Sequence, residues 1–192
     1  MALKLAGSLP NEIVNYIIGH SWGVIAGGYA RHLVGDARPY GDIDIFAYSA
    51  ESYYKIEDYL TRLGCSASTT KHSVLFRHDI SDEHYNLINF GWRKFDTIDD
   101  LINGFDFDVC QVGLDIAGLW CTPSFFANWQ SEFVSFAPNY DITDPMGEMK
   151  RLIKYVKKGY KVRTSTLAKC MDVWADMSAM DRVMSFDGSQ YE

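Results

Sequence analysis

Apolar and polar positions along this chain follow two rhythms, one of period two and one near 3.6 residues. Pro10-Asn11-Glu12 predicts a helix running to about Ile18, with Asn11 as its cap. Trp22 to Ala26 reads as a strand, Tyr29 to Leu33 as a helix packed beneath it, and Ile43 to Tyr48 as a second strand. Ser49-Ala50-Glu51 opens an amphipathic helix in which Tyr54, Ile56, Tyr59, Leu60 and Leu63 keep approximate helical spacing until Gly64 ends it. Ser73 to Arg77 and His84 to Phe90 predict a hairpin around the polar turn Asp79-Ile80-Ser81-Asp82. Asp99-Asp100-Leu101-Ile102 reads as a short helix closed by Asn103-Gly104, and Phe107 to Leu114 as a further strand. Asp144-Pro145 fits a cap followed by proline at the first helical position, and Gly159 fits the stop. Met146, Met149, Leu152, Ile153 and Val156 would be that helix's buried stripe. A last helix is expected from about Ser165 to Met184, with Leu167, Cys170, Met171, Trp174 and Met177 on one side. The layout predicts a domain over residues 1–140 and a helical extension over 141–192 packed on it.

The chemistry concentrates between residues 24 and 45. The apolar run Val24-Ile25-Ala26 ends in Gly27-Gly28, and Asp42-Ile43-Asp44-Ile45 follows. On a strand, Asp42 and Asp44 project to one side while Ile43 and Ile45 point into the core. Two like charges so close repel, and a divalent cation relieves them; hard oxygen ligands suit magnesium, which shares its shell with phosphates. Glycines at 27 and 28 let backbone amides approach a phosphate at a helix start, where the dipole favours negative charge. An acid pair facing a phosphate cradle points to nucleotide chemistry.

Gly27-Gly28-Tyr29-Ala30-Arg31-His32-Leu33-Val34, followed by Arg38-Pro39-Tyr40-Gly41-Asp42-Ile43-Asp44-Ile45, resembles the head-domain signature of CCA-adding enzymes and poly(A) polymerases, members of the nucleotidyltransferase superfamily that includes DNA polymerase beta. Thirteen residues lie between Gly28 and Asp42, within the usual spacing of that family, and His32 stands where CCA-adding enzymes usually carry Asp. The resemblance covers about the first 115 residues. It implies an α+β nucleotidyltransferase fold, a mixed β-sheet flanked by helices with a C-terminal helical extension. It implies nucleotide-binding roles for Gly27, Gly28 and Arg31, and a third acid on a neighbouring strand. Matching Phe105-Asp106-Phe107-Asp108-Val109 to poly(A) polymerases puts that acid at Asp108, with Asp106 a close second; matching to CCA-adding enzymes gives Asp106 a nucleotide contact instead. The bland alternative is that both only cap the preceding loop.

On this reading two magnesium ions bridge Asp42, Asp44 and the triphosphate of a nucleoside triphosphate, and Asp108 holds the ion nearer the acceptor. One ion lowers the pKa of an acceptor hydroxyl and the other offsets charge on the departing pyrophosphate. The acceptor is an RNA end, a small molecule or a protein hydroxyl. A complete CCA-adding enzyme carries long helical regions for measuring tRNA, and too few residues remain here for that task. Lys154, Lys157 and Lys158, among the cations Lys150, Arg151, Lys161 and Arg163, would grip acceptor or triphosphate phosphates, or else form an ordinary solvated face. Because His32 and Asn89 depart from the motif, a catalytically inactive relative that binds nucleotide or a protein partner is the alternative.

The remaining signals narrow the field. Gly19-His20-Ser21-Trp22-Gly23 matches the G-x-S-x-G nucleophile elbow, but few residues precede Ser21 and the last of the five histidines is His84, so the sheet and the late base of an α/β-hydrolase are missing. His72, His78 and His84 have no common zinc spacing. Cys65, Cys110, Cys121 and Cys170 suggest neither a zinc site nor a disulfide framework. A 47% hydrophobic and 15% aromatic composition is globular, and a net charge of −7 argues against a general nucleic-acid coat protein. Tyr53, Tyr54, Tyr59, Phe125, Phe126 and Trp129 are expected mostly in the core, with one stacking on a base. Neither a membrane span nor a signal-peptide layout is visible, so a cytoplasmic setting is expected.

Overall fold

The computed structural model describes residues 2–3, 11–91 and 94–186; Pro10, expected to open the first helix, lies outside them. Elements follow in the order β1 (Ala2–Leu3), α1 (Glu12–Gly19), β2 (Gly23–Ala26), α2 (Gly28–Leu33), β3 (Ile43–Ala47), α3 (Ala50–Arg62), β4 (Ser66–Thr69), β5 (Ser73–His78), β6 (Glu83–Ile88) and α4 (Ile98–Asn103). A 3₁₀ turn (Asp108–Cys110) leads to β7 (Val112–Asp115), β8 (Gly118–Cys121), α5 (Pro123–Asn128) and β9 (Phe133–Val134). The chain then forms α6 (Pro145–Lys157), β10 (Lys161–Val162), α7 (Thr164–Asp176) and α8 (Ala179–Phe186).

Eight strands make one mixed sheet in the order β1-β8-β7-β2-β3-β6-β5-β4, and β9 and β10 form a small parallel pair. β2 lies antiparallel to β3, and β3 runs parallel to β6. One face buries Ile25, Ile43, Ile45, Tyr85 and Leu87 against Val14 and Ile17 of α1, Tyr29 of α2, and Ile56 and Leu60 of α3. The other face packs Val24, Ala26, Phe46 and Ile88 on Ile98, Leu101 and Ile102 of α4. A third cluster joins Phe107, Val109 and Val134 to Leu152 of α6, Tyr160 and Cys170 of α7, so the helical extension closes over the segment that follows α4. This is the expected α+β fold, a mixed sheet flanked by helices. No helix among the described residues is long and apolar enough to cross a membrane.

Local chemistry sets most boundaries. Asn11 accepts from the Val14 amide and Ser49 from the Ser52 amide, each satisfying an orphan donor of the helix it starts. Thr97 and Asp100 form a reciprocal capping box on α4. Three expectations need correction. Phe107 to Leu114 is not one strand: Asp108–Cys110 turns as a 3₁₀ segment before β7, because the Asp108 carboxylate takes the Val109 amide at 2.7 Å and bends the chain there. The last helix is two, since Met177 is extended and Ser178 caps α8 by accepting from the Asp181 amide at 3.2 Å. On α6 the buried face carries Gly147, Glu148 and Leu152, whereas Ile153 and Val156 are 54% and 51% exposed.

Candidate active site

Asp44 sits on the α4 side of β3, enclosed from three directions. Across the antiparallel pair its register partner is Ala26, after which the chain turns at Gly27 with φ +70°. A Cβ on Gly27 would lie 3.1 Å from Asp44 Oδ2. Across the parallel pair its partner is Asn86, whose Nδ2 donates to Asp44 Oδ1 at 2.8 Å. Burial first, and then the adjacent Asp42, push the Asp44 carboxyl up to about 7, against the opposing pull of Asn86, Lys158 and Arg151. The pair is therefore short of positive charge, which is the condition a divalent cation relieves.

The glycine turn is built around Arg31. The Gly27 amide donates to the Val112 carbonyl at 3.2 Å, which ties the turn to β7 and leaves the first amides of α2 to face a ligand. At Gly28 a Cβ would meet Tyr40 Cβ at 3.2 Å and Arg31 Nη2 at 3.9 Å. Arg31 is not a surface charge: it is 1% exposed, its Nε lies 2.8 Å from Asp36 Oδ2, and its Nη2 has no protein partner. Burial works against the Asp36 charge, but the Arg38 amide, the Tyr160 hydroxyl at 2.7 Å, and the Arg31 and Arg38 guanidiniums together hold it below the usual carboxylate range. A buried guanidinium nitrogen without a partner beside a glycine turn is a ready anion contact.

The remaining predicted residues separate into two groups. Lys158 and Arg151 of the α6 region are close enough to act on Asp44, and Arg31, Asp44 and Lys158 all act on the buried Cys110 thiol, which lies 2.6 Å from Tyr155 Oη. Lys154 and Lys157 are exposed. Asp106 and Asp108 each have partners of their own. Asp106 is clamped by Arg151, Nη2 to Oδ1 at 2.9 Å, and accepts the Phe107 amide at 2.9 Å. Asp108 lies on the 3₁₀ turn rather than a strand, with Oδ1 accepting from the Val109 amide at 2.7 Å and the Ser135 amide at 3.1 Å. Burial raises its carboxyl to about 6, against those two amides and Arg163. Among the described residues no three His, Cys, Asp or Glu side chains come together to hold a metal ion.

The residue opposite Asp44 on the neighbouring strand is an amide, Asn86. Asn86 carries a signal that pattern reading could use: it alternates with buried Tyr85 and Leu87, which puts it on the opposite face. What the pattern does not give is that β6 pairs with β3 in the register that sets Asn86 against Asp44. The elbow motif is also resolved. Ser21 has φ +54° but lies between a helix and a following strand, the reverse of the strand-to-helix order the elbow requires.

A family model described as Gabija anti-defense 2 family protein matches residues 8–131. No curated protein matches the chain. Among solved structures, the Thermotoga maritima CCA-adding enzyme complexed with tRNA is 13% identical with a TM-score of 0.60, over 85% of this chain and 42% of that one. The Bacillus stearothermophilus CCA-adding enzyme in complex with CTP is 14% identical with a TM-score of 0.57, over 94% and 48% of the two chains. A tRNA-processing enzyme in apo form is 12% identical with a TM-score of 0.62, over 94% and 53%. The chain spans about half the length of these structures, and the likeness is one of nucleotidyltransferase fold.

Proposed function

The chain belongs to the Gabija anti-defense 2 family, and on that premise we propose that it opposes Gabija defence as a metal-dependent nucleotidyltransferase, moving a nucleoside monophosphate from a nucleoside triphosphate onto a hydroxyl. The observation that carries the reading is the closure of the Gly27 turn onto Asp44, 3.1 Å from the missing Cβ to Oδ2, with the unpartnered Arg31 Nη2 behind Gly28. Asp42 and Asp44 would hold magnesium, which supplies neutralisation of the triphosphate and a lower pKa for the attacking hydroxyl. Gly27 and Gly28 admit the phosphates, and Arg31 Nη2 adds a charged donor to them. Lys158 and Arg151 bring positive charge to the same side of the cleft, where pyrophosphate or an acceptor phosphate would develop charge. The acceptor hydroxyl belongs to an RNA end, a small molecule or a protein, and the family's name favours a component of Gabija itself.

Asn86 favours a second reading, in which the same cleft binds a nucleotide or a partner without turnover. A neutral amide on the strand beside Asp44 turns an N–H donor toward it and lacks the negative charge that a third metal-binding acid would offer. Labelled nucleoside triphosphates, magnesium, total RNA and purified Gabija proteins separate the two. Label transferred to an acceptor, and absent with Asp42→Ala and Asp44→Ala, supports transfer; saturable nucleotide binding without pyrophosphate release supports the inactive reading.

A further inference from the structure

Tyr40 packs against Gly28 and also lines a separate cavity of about 460 Å³ that nucleotidyl transfer leaves without a role. The start of α1, α2, the end of α3 and the β5–β6 turn enclose it. Its chemistry is the opposite of the phosphate cradle. The carboxylates Glu12 and Glu83 line it together with Tyr29, Tyr40 and Tyr59, and no lysine or arginine is among the lining residues. Glu83 is held in place: its Oε2 accepts from Asn11 Nδ2 at 2.7 Å, from Tyr85 Oη at 2.8 Å and from Ser81 Oγ at 3.5 Å. These donors fix the carboxylate and leave its other oxygen for a ligand. Tyr29 is 2% exposed, yet its hydroxyl has no protein partner. Burial foremost, then Tyr40 and Glu83, push the Tyr29 phenol up to about 12, and burial and Glu83 likewise raise Tyr40. Glu12 and Glu83 are thus the carboxylates of a lining whose other titratable side chains are the tyrosines and the histidines His32 and His78.

We propose that this cavity is a second binding site, for an organic cation carrying an ammonium or guanidinium group. Glu83 is its counter-ion, the Tyr29 hydroxyl accepts one of its N–H bonds, and the rings of Tyr40 and Tyr59 line the cavity beside the charge. A fixed carboxylate and an unsatisfied buried hydroxyl reward a donor-rich cation more than a neutral base, which would leave Glu83 uncompensated. The charge has two possible sources, a free amine or an arginine side chain of another protein.

Calorimetry on the whole chain tests it with two probes, agmatine and an acetylated Gly-Arg-Gly amide. Saturable agmatine binding is expected to weaken roughly tenfold in Glu83→Gln and a few-fold in Tyr29→Phe, a change that keeps the ring and so the packing. Asp44→Asn should leave it unaltered, which keeps this site's failure distinct from failure of the acid cleft. Tighter binding of agmatine than of the peptide identifies a free amine as the source, and the reverse order identifies a protein side chain. The proposal is overturned if neither probe saturates, if butylurea binds as well as agmatine, if adenosine displaces agmatine with higher affinity, or if both variants bind agmatine like the parent.

Discussion

The Cβ that Gly27 lacks would stand 3.1 Å from Oδ2 of Asp44, so the glycine turn and the acid strand meet where any other residue would place a side chain. Gly27→Ala meets two costs: strain at φ +70°, about 1 kcal/mol, and a methyl pressed against the carboxylate. Gly35 separates them, because its φ is +96° but nothing lies within 4 Å of its absent Cβ. Both substitutions should lower Tm by a few degrees, about 2–4 °C for each kcal/mol. Gly27→Ala alone should lose nucleotide binding at least tenfold, read by titration of a fluorescent nucleotide. Equal binding by the two variants would mean that the turn shapes the fold and not a ligand site.

Asp44 makes the metal-free protein sensitive to alkali. Its carboxyl is pushed up to about 7 in the folded chain, well above the ordinary aspartate value near 3.9. A raised acid stabilises the fold while protonated, so its contribution is complete below about pH 4 and is lost as pH rises through about 7. Thermal melts without metal should therefore fall between pH 5 and 8, and magnesium should restore Tm at pH 8 by binding the folded state. Asp44→Asn should flatten the profile and abolish the magnesium response. A parent Tm that ignores magnesium at pH 8 would remove the metal from the proposed site.

Much of this was legible in the chain and some was not, for reasons that particular elements make plain. Asn11, Ser49 and Thr97 cap helices by local hydrogen bonds, and such bonds are written in adjacent residues. Gly27-Gly28 and Asp42-x-Asp44 come together because β2 and β3 are neighbours both in sequence and in the sheet. β4 has no sequence signature because all four of its residues, Ser66 to Thr69, are exposed at the sheet edge, so no apolar alternation marks it. The burial of Arg31 is not written in its helix: Asp36, Tyr160 and the α6–β10 connection enclose it, a long-range event with no local trace. The alternating Asp106-x-Asp108 pattern suggests a strand, yet each carboxylate captures the backbone amide that follows it and turns the chain.

Asp108 allows a direct test of that difference. Two backbone amides hold its Oδ1, while Oδ2 is buried without a partner, and its carboxyl is raised to about 6. The same sign applies: its stabilisation is present below about pH 4 and disappears as pH rises through about 6, by no more than about 3 kcal/mol. Asp108→Asn keeps an oxygen for both amides and removes the charge. It should make the stability profile less steep between pH 4 and 6.5, leaving the slope that Asp44 contributes, while magnesium and nucleotide affinity stay within about twofold of the parent. A variant that folds but loses magnesium affinity would restore Asp108 to the metal-binding set expected from the family resemblance.

Asn86 decides between a working and a silent cleft. Its Nδ2 gives Asp44 Oδ1 a hydrogen bond at 2.8 Å, which partly offsets the repulsion between Asp44 and Asp42. Asn86→Asp replaces that donor with a third negative charge on the adjacent strand. Without metal the variant should be less stable than the parent at pH 8 by about 2–4 kcal/mol, as a lost bond and a new buried repulsion add. Three carboxylates around one cleft should bind magnesium more tightly, so saturating metal should return most of the lost stability. The catalytic consequence separates the two readings. If the parent transfers nucleotides, its cleft is already tuned to the amide, and the variant should change the metal dependence of the rate without creating activity from nothing. If the parent only binds, the added acid is the missing ligand, and label transfer should appear in the variant alone. Both outcomes are read in one assay of labelled nucleotide transfer across a magnesium titration.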